Sequence, residues 1–418
     1  MSAVRRQAVL TASVAGYREA IQERRHVVEQ PIGVIGAPEV NVNAAVSNSP
    51  GRRLVSLDLL RGITIAFMIL VNNNGDGERA FWALKHTQWN GFTPTDLVFP
   101  TFLFLVGVSL VFSTDSRLAK GDSRLSIALH AVRRTVILFV LGLVVNGYPQ
   151  FIWSSLRIYG VLQRIALCYL IGSLVYLVSK RVSVQVALLV AALAGYWILM
   201  RFVPIPGYGV PGRDFPLLDK DINLVAFIDR HLLPGRLYEG TRDPEGLLST
   251  LPAVGTLLCG MLTARWLRSA FNLGQKLQGL AIAGVAALAA GGVWNFWFPV
   301  NKKLWTSSYV LYAAGWSLLA LAFCFWIVEI RQQKRGLRPW LVFGTNAIAA
   351  YVFAELFQST LNAIQVGGSV SLQRWIYLHM LGVVPWPAWA SLLYSICFVA
   401  VCFIPVAILY RKQIFIKV

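Results

Sequence analysis

Apolar residues run in stretches of about 18 or more along most of this chain, each long enough to cross roughly 30 Å of hydrocarbon as a helix. Ten such stretches can be drawn, at about 54–73, 96–113, 129–147, 161–179, 183–201, 247–266, 277–298, 308–330, 340–362 and 389–410. Short alternating strands are absent, which excludes a β-barrel reading. The pattern predicts an all-α, polytopic membrane helix bundle of about ten helices, eleven at most, over residues 51–418. Residues 372–387 are amphipathic and broken by proline, and are expected at the interface rather than across the bilayer. The connector 202–246 is long and rich in Pro, Gly and Asp, so it is expected to be an ordered outer cap. No repeat of fixed period and no inverted-repeat signal is visible.

Composition strengthens this picture. The chain is 56% hydrophobic and 14% charged, with a mean hydropathy of +0.59, outside the range of a soluble domain. A net charge of +19 invites a nucleic-acid reading, but the charge follows topology. With the N-terminus inside, the inner connectors carry 15 Lys or Arg in 47 residues, against 11 in 115 for the outer ones. That is the positive-inside pattern, and it sets the orientation with a cytoplasmic N-terminus. Residues 1–50 lack an apolar core and are not a cleavable signal; they read as a cytoplasmic tail with one short helix near 15–28. The five cysteines fall in predicted spans without CxxC spacing, so neither a disulfide framework nor a metal site is indicated. Trp153, Trp297, Trp305, Trp340 and Trp386 sit near span ends and are expected in the aromatic belt.

Candidate chemistry gathers on the outer side. His86 stands in Lys85-His86-Thr87-Gln88-Trp89-Asn90-Gly91, between the first two spans, and Asp96 follows at the start of the second. An imidazole near neutrality can take a proton from an amine or hydroxyl, and a carboxylate can orient it. Asn72 and Asn73 close the first span beside this segment, with Trp89 and Asn90 within it. Arg164 lies at membrane depth, where an ionisable group faces protein or a water-filled cavity. Glu355, two to three turns after Asn346 in the ninth span, has the same logic, with Arg164 as a candidate partner. Asp243, Glu245 and Lys303 add charge on the His86 side. On the inner side, Asp58 and Arg61 are one turn apart, which suits a local ion pair; Arg61 is also a candidate for a phosphorylated ligand. The Walker A, dinucleotide GxGxxG, HExxH and GxSxG patterns are absent, so the mechanisms they serve are poorly supported.

The segments SLDLLRGITIAFMILVNNNG, KHTQWNGFTPTDLVFPTFLFLVGVS, GVLQRIALCYL, DPEGLLSTLPAVGT, NKKLWTSSYVL and FGTNAIAAYV resemble the heparan-α-glucosaminide N-acetyltransferase family of transmembrane acetyltransferases. The resemblance covers most of residues 52–360 and implies a transmembrane acyltransferase domain. It implies transfer of acetyl from cytosolic acetyl-CoA to an amino sugar across the membrane, with His86 catalytic and Asp96 and Asn72 beside it. The substrate side would then comprise Asn73, Trp89, Asn90, Asp243, Glu245, Lys303 and Glu355. Arg61, Arg124, Arg133, Arg134 and Arg164 are the cations expected to take the donor's phosphates, since guanidinium forks match phosphate. The short basic tail, in place of the large lumenal extension of lysosomal members, resembles a bacterial inner-membrane relative, with a periplasmic glucosamine or cell-wall fragment as acceptor. The resemblance further suggests a homodimer. A transporter of sugars or peptidoglycan fragments and a polysaccharide O-acetyltransferase are the competing readings.

Overall fold

The computed structural model describes residues 54–416 apart from Lys334. The tail at 1–50, with His26 and the helix expected near 15–28, lies outside the described residues. Thirteen α-helices make up about two thirds of the described residues, which also include one two-stranded hairpin, Gln365–Val366 with Val370–Ser371. Each of the ten expected apolar stretches is helical. They are α1 (Val55–Asn72), α2 (Val98–Ala119), α3 (Arg124–Gly147), α4 (Val161–Val178), α5 (Val182–Phe202), α7 (Thr250–Leu267), α8 (Leu273–Trp294), α9 (Ser307–Phe325), the pair α10 (Arg338–Thr345) and α11 (Ala347–Ala363), and α13 (Pro387–Arg411). The connectors contribute α6 (Leu224–Leu232) and α12 (Leu372–Val383).

Eight of these are individually long and apolar enough to cross a membrane, and α10 with α11 would make a ninth. The remaining expected span, α7, is 18 residues long but carries Pro252, Thr256, Thr263 and two glycines. Its small and polar residues serve helix contact rather than lipid. Gly107 of α2 abuts the Leu257 carbonyl of α7, and Gly260 of α7 abuts that of Phe104, so neither position has room for a Cβ. A central group of α1, α2, α4, α7 and α9 carries most of the buried apolar core, while α3, α5, α8 and α13 turn wide faces outward.

The ninth span departs from a straight rod. It bends by 84° at Asn346, whose backbone leaves the helical region at φ −127°, ψ 42°. The Asn346 side chain is fully engaged there: Nδ2 donates to Ile414 O (3.1 Å) and Oδ1 accepts from Ile416 N (2.9 Å). Asn346 therefore fastens the chain's end to the break and does not join Glu355. The short half-helix α10 packs on α1 with two glycines in contact, Gly344 against Asp58 O and Gly62 against Trp340 O.

The expected cap is ordered. Its helix α6 starts at Asn223, whose side chain accepts from Ala226 N (2.9 Å). Leu218, Leu224 and Val225 pack with Tyr196, Met200, Phe298 and Leu304 into a small core of their own. Residues 372–383 form a 12-residue helix, too short to span, that ends before Pro385 and Pro387. Trp153, Trp297, Trp340 and Trp386 are exposed as a belt requires, but Trp305 is fully buried, with φ +53°, and is a core residue of the site below.

Candidate active site

The His86 segment is a loop pinned at both flanks. Thr93-Pro94-Thr95-Asp96 forms a capping box that opens a short 3-10 turn running into α2: a threonine at the cap, proline at the first position and an acid at the third. Asp96 is completely buried, and both of its carboxylate oxygens are engaged. Oδ2 accepts from Thr93 N (3.0 Å) and Thr87 N (3.1 Å), and Oδ1 lies 2.6 Å from His86 Nδ1. The Tyr309 hydroxyl donates to the Asp96 carbonyl from α9. His86 keeps 42% of its side chain exposed. The carboxylate thus holds Nδ1–H, and Nε2 is the nitrogen left with a lone pair. Partial burial and the Lys302 ammonium hold the His86 imidazole below its ordinary value, against the upward pull of Asp96 and Glu245.

The rest of the motif is scaffold for that pair. Trp89 Nε1 donates to Leu218 O (2.7 Å) in the cap, and the Arg242 guanidinium covers its ring at 4.4 Å. Asn90 Oδ1 accepts from Asn301 Nδ2 (3.1 Å). Gly91 donates to Val300 O (2.8 Å) at φ +96°, a conformation that glycine adopts without strain.

A second cluster faces it, built on Asp243-Pro244-Glu245-Gly246. Arg157 grips Asp243 with two nitrogens (2.7 and 2.6 Å) and reaches Glu245 (2.6 Å). Its guanidinium lies 4.5 Å above the Tyr238 ring. Burial pushes the Glu245 carboxyl up, but Arg157, Lys302 and Arg164 together hold it below the usual range. Arg164, fully buried in the first turn of α4, donates to Gly246 O (3.0 Å) and to Ser249, and lies 5.0 Å over the Trp305 ring. Its Nε and Nη1 have no protein partner among the described residues. From the other side, buried Asp229 of α6 accepts from Asp243 N (3.0 Å) and Leu247 N (3.2 Å). Burial raises the Asp229 carboxyl to about 6. Any side chain at Gly246 would strike this carboxylate.

These contacts sort the expected residues. His86, Asp96, Asp243 and Glu245 fall in one neighbourhood, with Lys302 acting on both His86 and Glu245. Asn72 and Tyr351 lie beside Glu355, and the cation acting on Glu355 is Arg157. Arg164 is not among the groups acting on Glu355; its Nη2 donates to the 246–249 turn instead. Asn73 turns inward onto Ile69 O (2.8 Å), and Lys303 pairs with Glu239 (2.9 Å).

The cations expected at a donor site do not converge. Arg61 pairs with Asp58 (2.8 Å) and Ser109 (2.6 Å). Arg124 and Arg133 are exposed on α3, and Arg134 stacks on Tyr169. Arg164 is at the His86 end of the bundle. At the opposite end the cations that do gather are Lys180 and Arg268 on Asp115 (2.7 and 3.3 Å), to which Tyr176 also donates (2.9 Å), with Arg265 beside Tyr176. Arg157, Asp229 and Lys302 are the site residues that sequence reasoning passed over. Lys302 is separated from the chosen Lys303 only by the direction of one turn.

The catalytic family model for heparan-alpha-glucosaminide N-acetyltransferase matches residues 53–294, which include both clusters but not Lys302 or Glu355. The human heparan-alpha-glucosaminide N-acetyltransferase is 29% identical across 73% of this chain and 53% of its own length. The mouse protein of the same name is 27% identical across 74% of this chain and 54% of its own. The chain therefore spans about half the length of the curated relatives it matches. With that match joined to a membrane helix bundle carrying the His86–Asp96 pair, the chain belongs to the heparan-alpha-glucosaminide N-acetyltransferase family.

Proposed function

We propose that this protein is a membrane-bound acetyltransferase that moves acetyl from acetyl-CoA to the amino group of an amino sugar, using His86. The observation that carries this reading is the 2.6 Å contact between His86 Nδ1 and buried Asp96, which leaves Nε2 lone-paired and accessible. In the reaction the amine nitrogen attacks the thioester carbonyl carbon, the carbon–sulfur bond breaks and coenzyme A leaves as its thiol. His86 Nε2 would take the amine's proton and pass it to the departing sulfur. The same lone pair suits a two-step route in which the acetyl rests on Nε2 first. Glu245, Asp243 and Glu355 give the neighbourhood carboxylates that suit a cationic amino sugar, and Arg157 holds two of them in place.

The positive-inside charge pattern supports a cytoplasmic N-terminus, which would set the His86 face toward the periplasm if the membrane is a bacterial inner membrane. Acetyl-CoA would then approach the face carrying Lys180, Arg265 and Arg268, and a glucosamine-type or cell-wall-derived acceptor the other. The test is transfer of labelled acetyl to a panel of amino sugars by purified protein, read by mass spectrometry. The wild type is expected to acetylate at least one amine. His86→Ala is expected to lose transfer with an unchanged melting temperature; wild-type rates in that variant would remove His86 from the chemistry.

A further inference from the structure

The face opposite His86 carries a groove that acetyl transfer leaves unused. It lies between α10 and α13 and encloses a volume of about 240 Å³. Val342, Phe403 and Ala407 form its walls, and Arg338, Tyr410 and Arg411 stand at its rim. Both arginines are exposed, and neither has an ion-pair partner among the described residues. Arg338 also opens α10, where the helix dipole favours an anion, yet the first turn contains no acid. Two guanidinium groups at the ends of membrane helices stand at the level of lipid headgroups, and the walls below them stand at the level of acyl chains.

We infer that this groove binds an anionic phospholipid, its phosphate on Arg338 and Arg411 and the start of an acyl chain against Val342, Phe403 and Ala407. A soluble phosphate compound would meet the charges but leave the apolar walls wet. A zwitterionic lipid would bring its own cation against two guanidinium groups. The occupant would add to what braces α10, an eight-residue helix held by its glycine contacts with α1, by Phe343 against Phe403 of α13 and by Asn346.

The full-length protein in detergent, incubated with equal phosphatidylglycerol and phosphatidylcholine, tests this by native mass spectrometry. The wild type is expected to retain phosphatidylglycerol at least tenfold over phosphatidylcholine. The surface double variant Arg338→Gln, Arg411→Gln is expected to lose that preference. Ala407→Trp, which fills the groove and keeps both charges, is expected to lower retention; if it fails to fold, the double variant alone decides. Equal retention of both lipids by the wild type, or a preference surviving in the double variant, overturns the proposal. So does displacement of the lipid by coenzyme A with loss of coenzyme A binding in the double variant, which would make this a nucleotide-phosphate site.

Discussion

His86 and Asp96 divide the work of one proton between an accessible ring and a buried carboxylate. The Thr87 and Thr93 amides hold Asp96 Oδ2, which fixes the carboxylate with Oδ1 against His86 Nδ1. That geometry selects the tautomer whose Nε2 accepts. Lys302 adds the electrostatic half, because a nearby ammonium disfavours a second positive charge on the ring. His86 then stays neutral to a pH below its ordinary value of about 6.5. If neutral His86 is the active form, kcat/KM rises with pH through that lowered value. Lys302→Gln removes the repulsion, raises the imidazole pKa and should move the acid limb of the profile to higher pH. A limb that stays in place, or moves down, would show that Lys302 does not act on His86.

At the scale of elements, the turn at 243–249 is held from three directions: Arg157 from the connector before α4, Arg164 from α4 itself and Asp229 from the cap helix α6. The cap thereby places Glu245 as well as covering it. Asp229 carries a pH signature that can be checked. Its folded-state value of about 6 exceeds the unfolded one, so between about pH 4 and 6 the folded protein keeps a proton that the unfolded chain has lost. This group's contribution to stability therefore declines as pH rises through that window and is level above it. Asp229→Asn should flatten the dependence of the melting temperature on pH over the same range; an unchanged slope would assign the dependence elsewhere. A second element-level test concerns the α1–α10 contact. Gly344→Ala drives a methyl into the Asp58 carbonyl, two backbones that cannot yield cheaply. Overpacking of this kind costs about 1–3 kcal/mol, so thermal unfolding in detergent should come several degrees lower than in the wild type.

For the whole molecule, the two charged neighbourhoods lie at opposite ends of the bundle, His86 with Glu245 at one and Asp115 with Lys180 and Arg268 at the other. Sidedness is testable with exposed positions at each end: Glu78→Cys should react with an impermeant thiol reagent from outside intact cells, and Arg181→Cys only after lysis, the opposite result reversing the orientation. All ten apolar stretches proved to be helices, and Asp96 stands in the turn that opens the second of them, as its place at the start of that span suggested. The sequence by itself determined these features because helix length, hydropathy and capping are local: each depends on residues within a turn or a single span. It also brought His86 and Asp96 together, since only a ten-residue loop separates them. Tertiary structure alone decided that Arg157 meets Asp243 and Glu245 more than 80 residues away, and that Trp305 leaves the belt for the core. It also turned Lys302 toward the site and Lys303 away, and broke the ninth span where Asn346 ties down the chain's end. Those outcomes depend on which helices touch and how one turn is wound, and the apolar pattern of a membrane helix specifies a span without naming its neighbours.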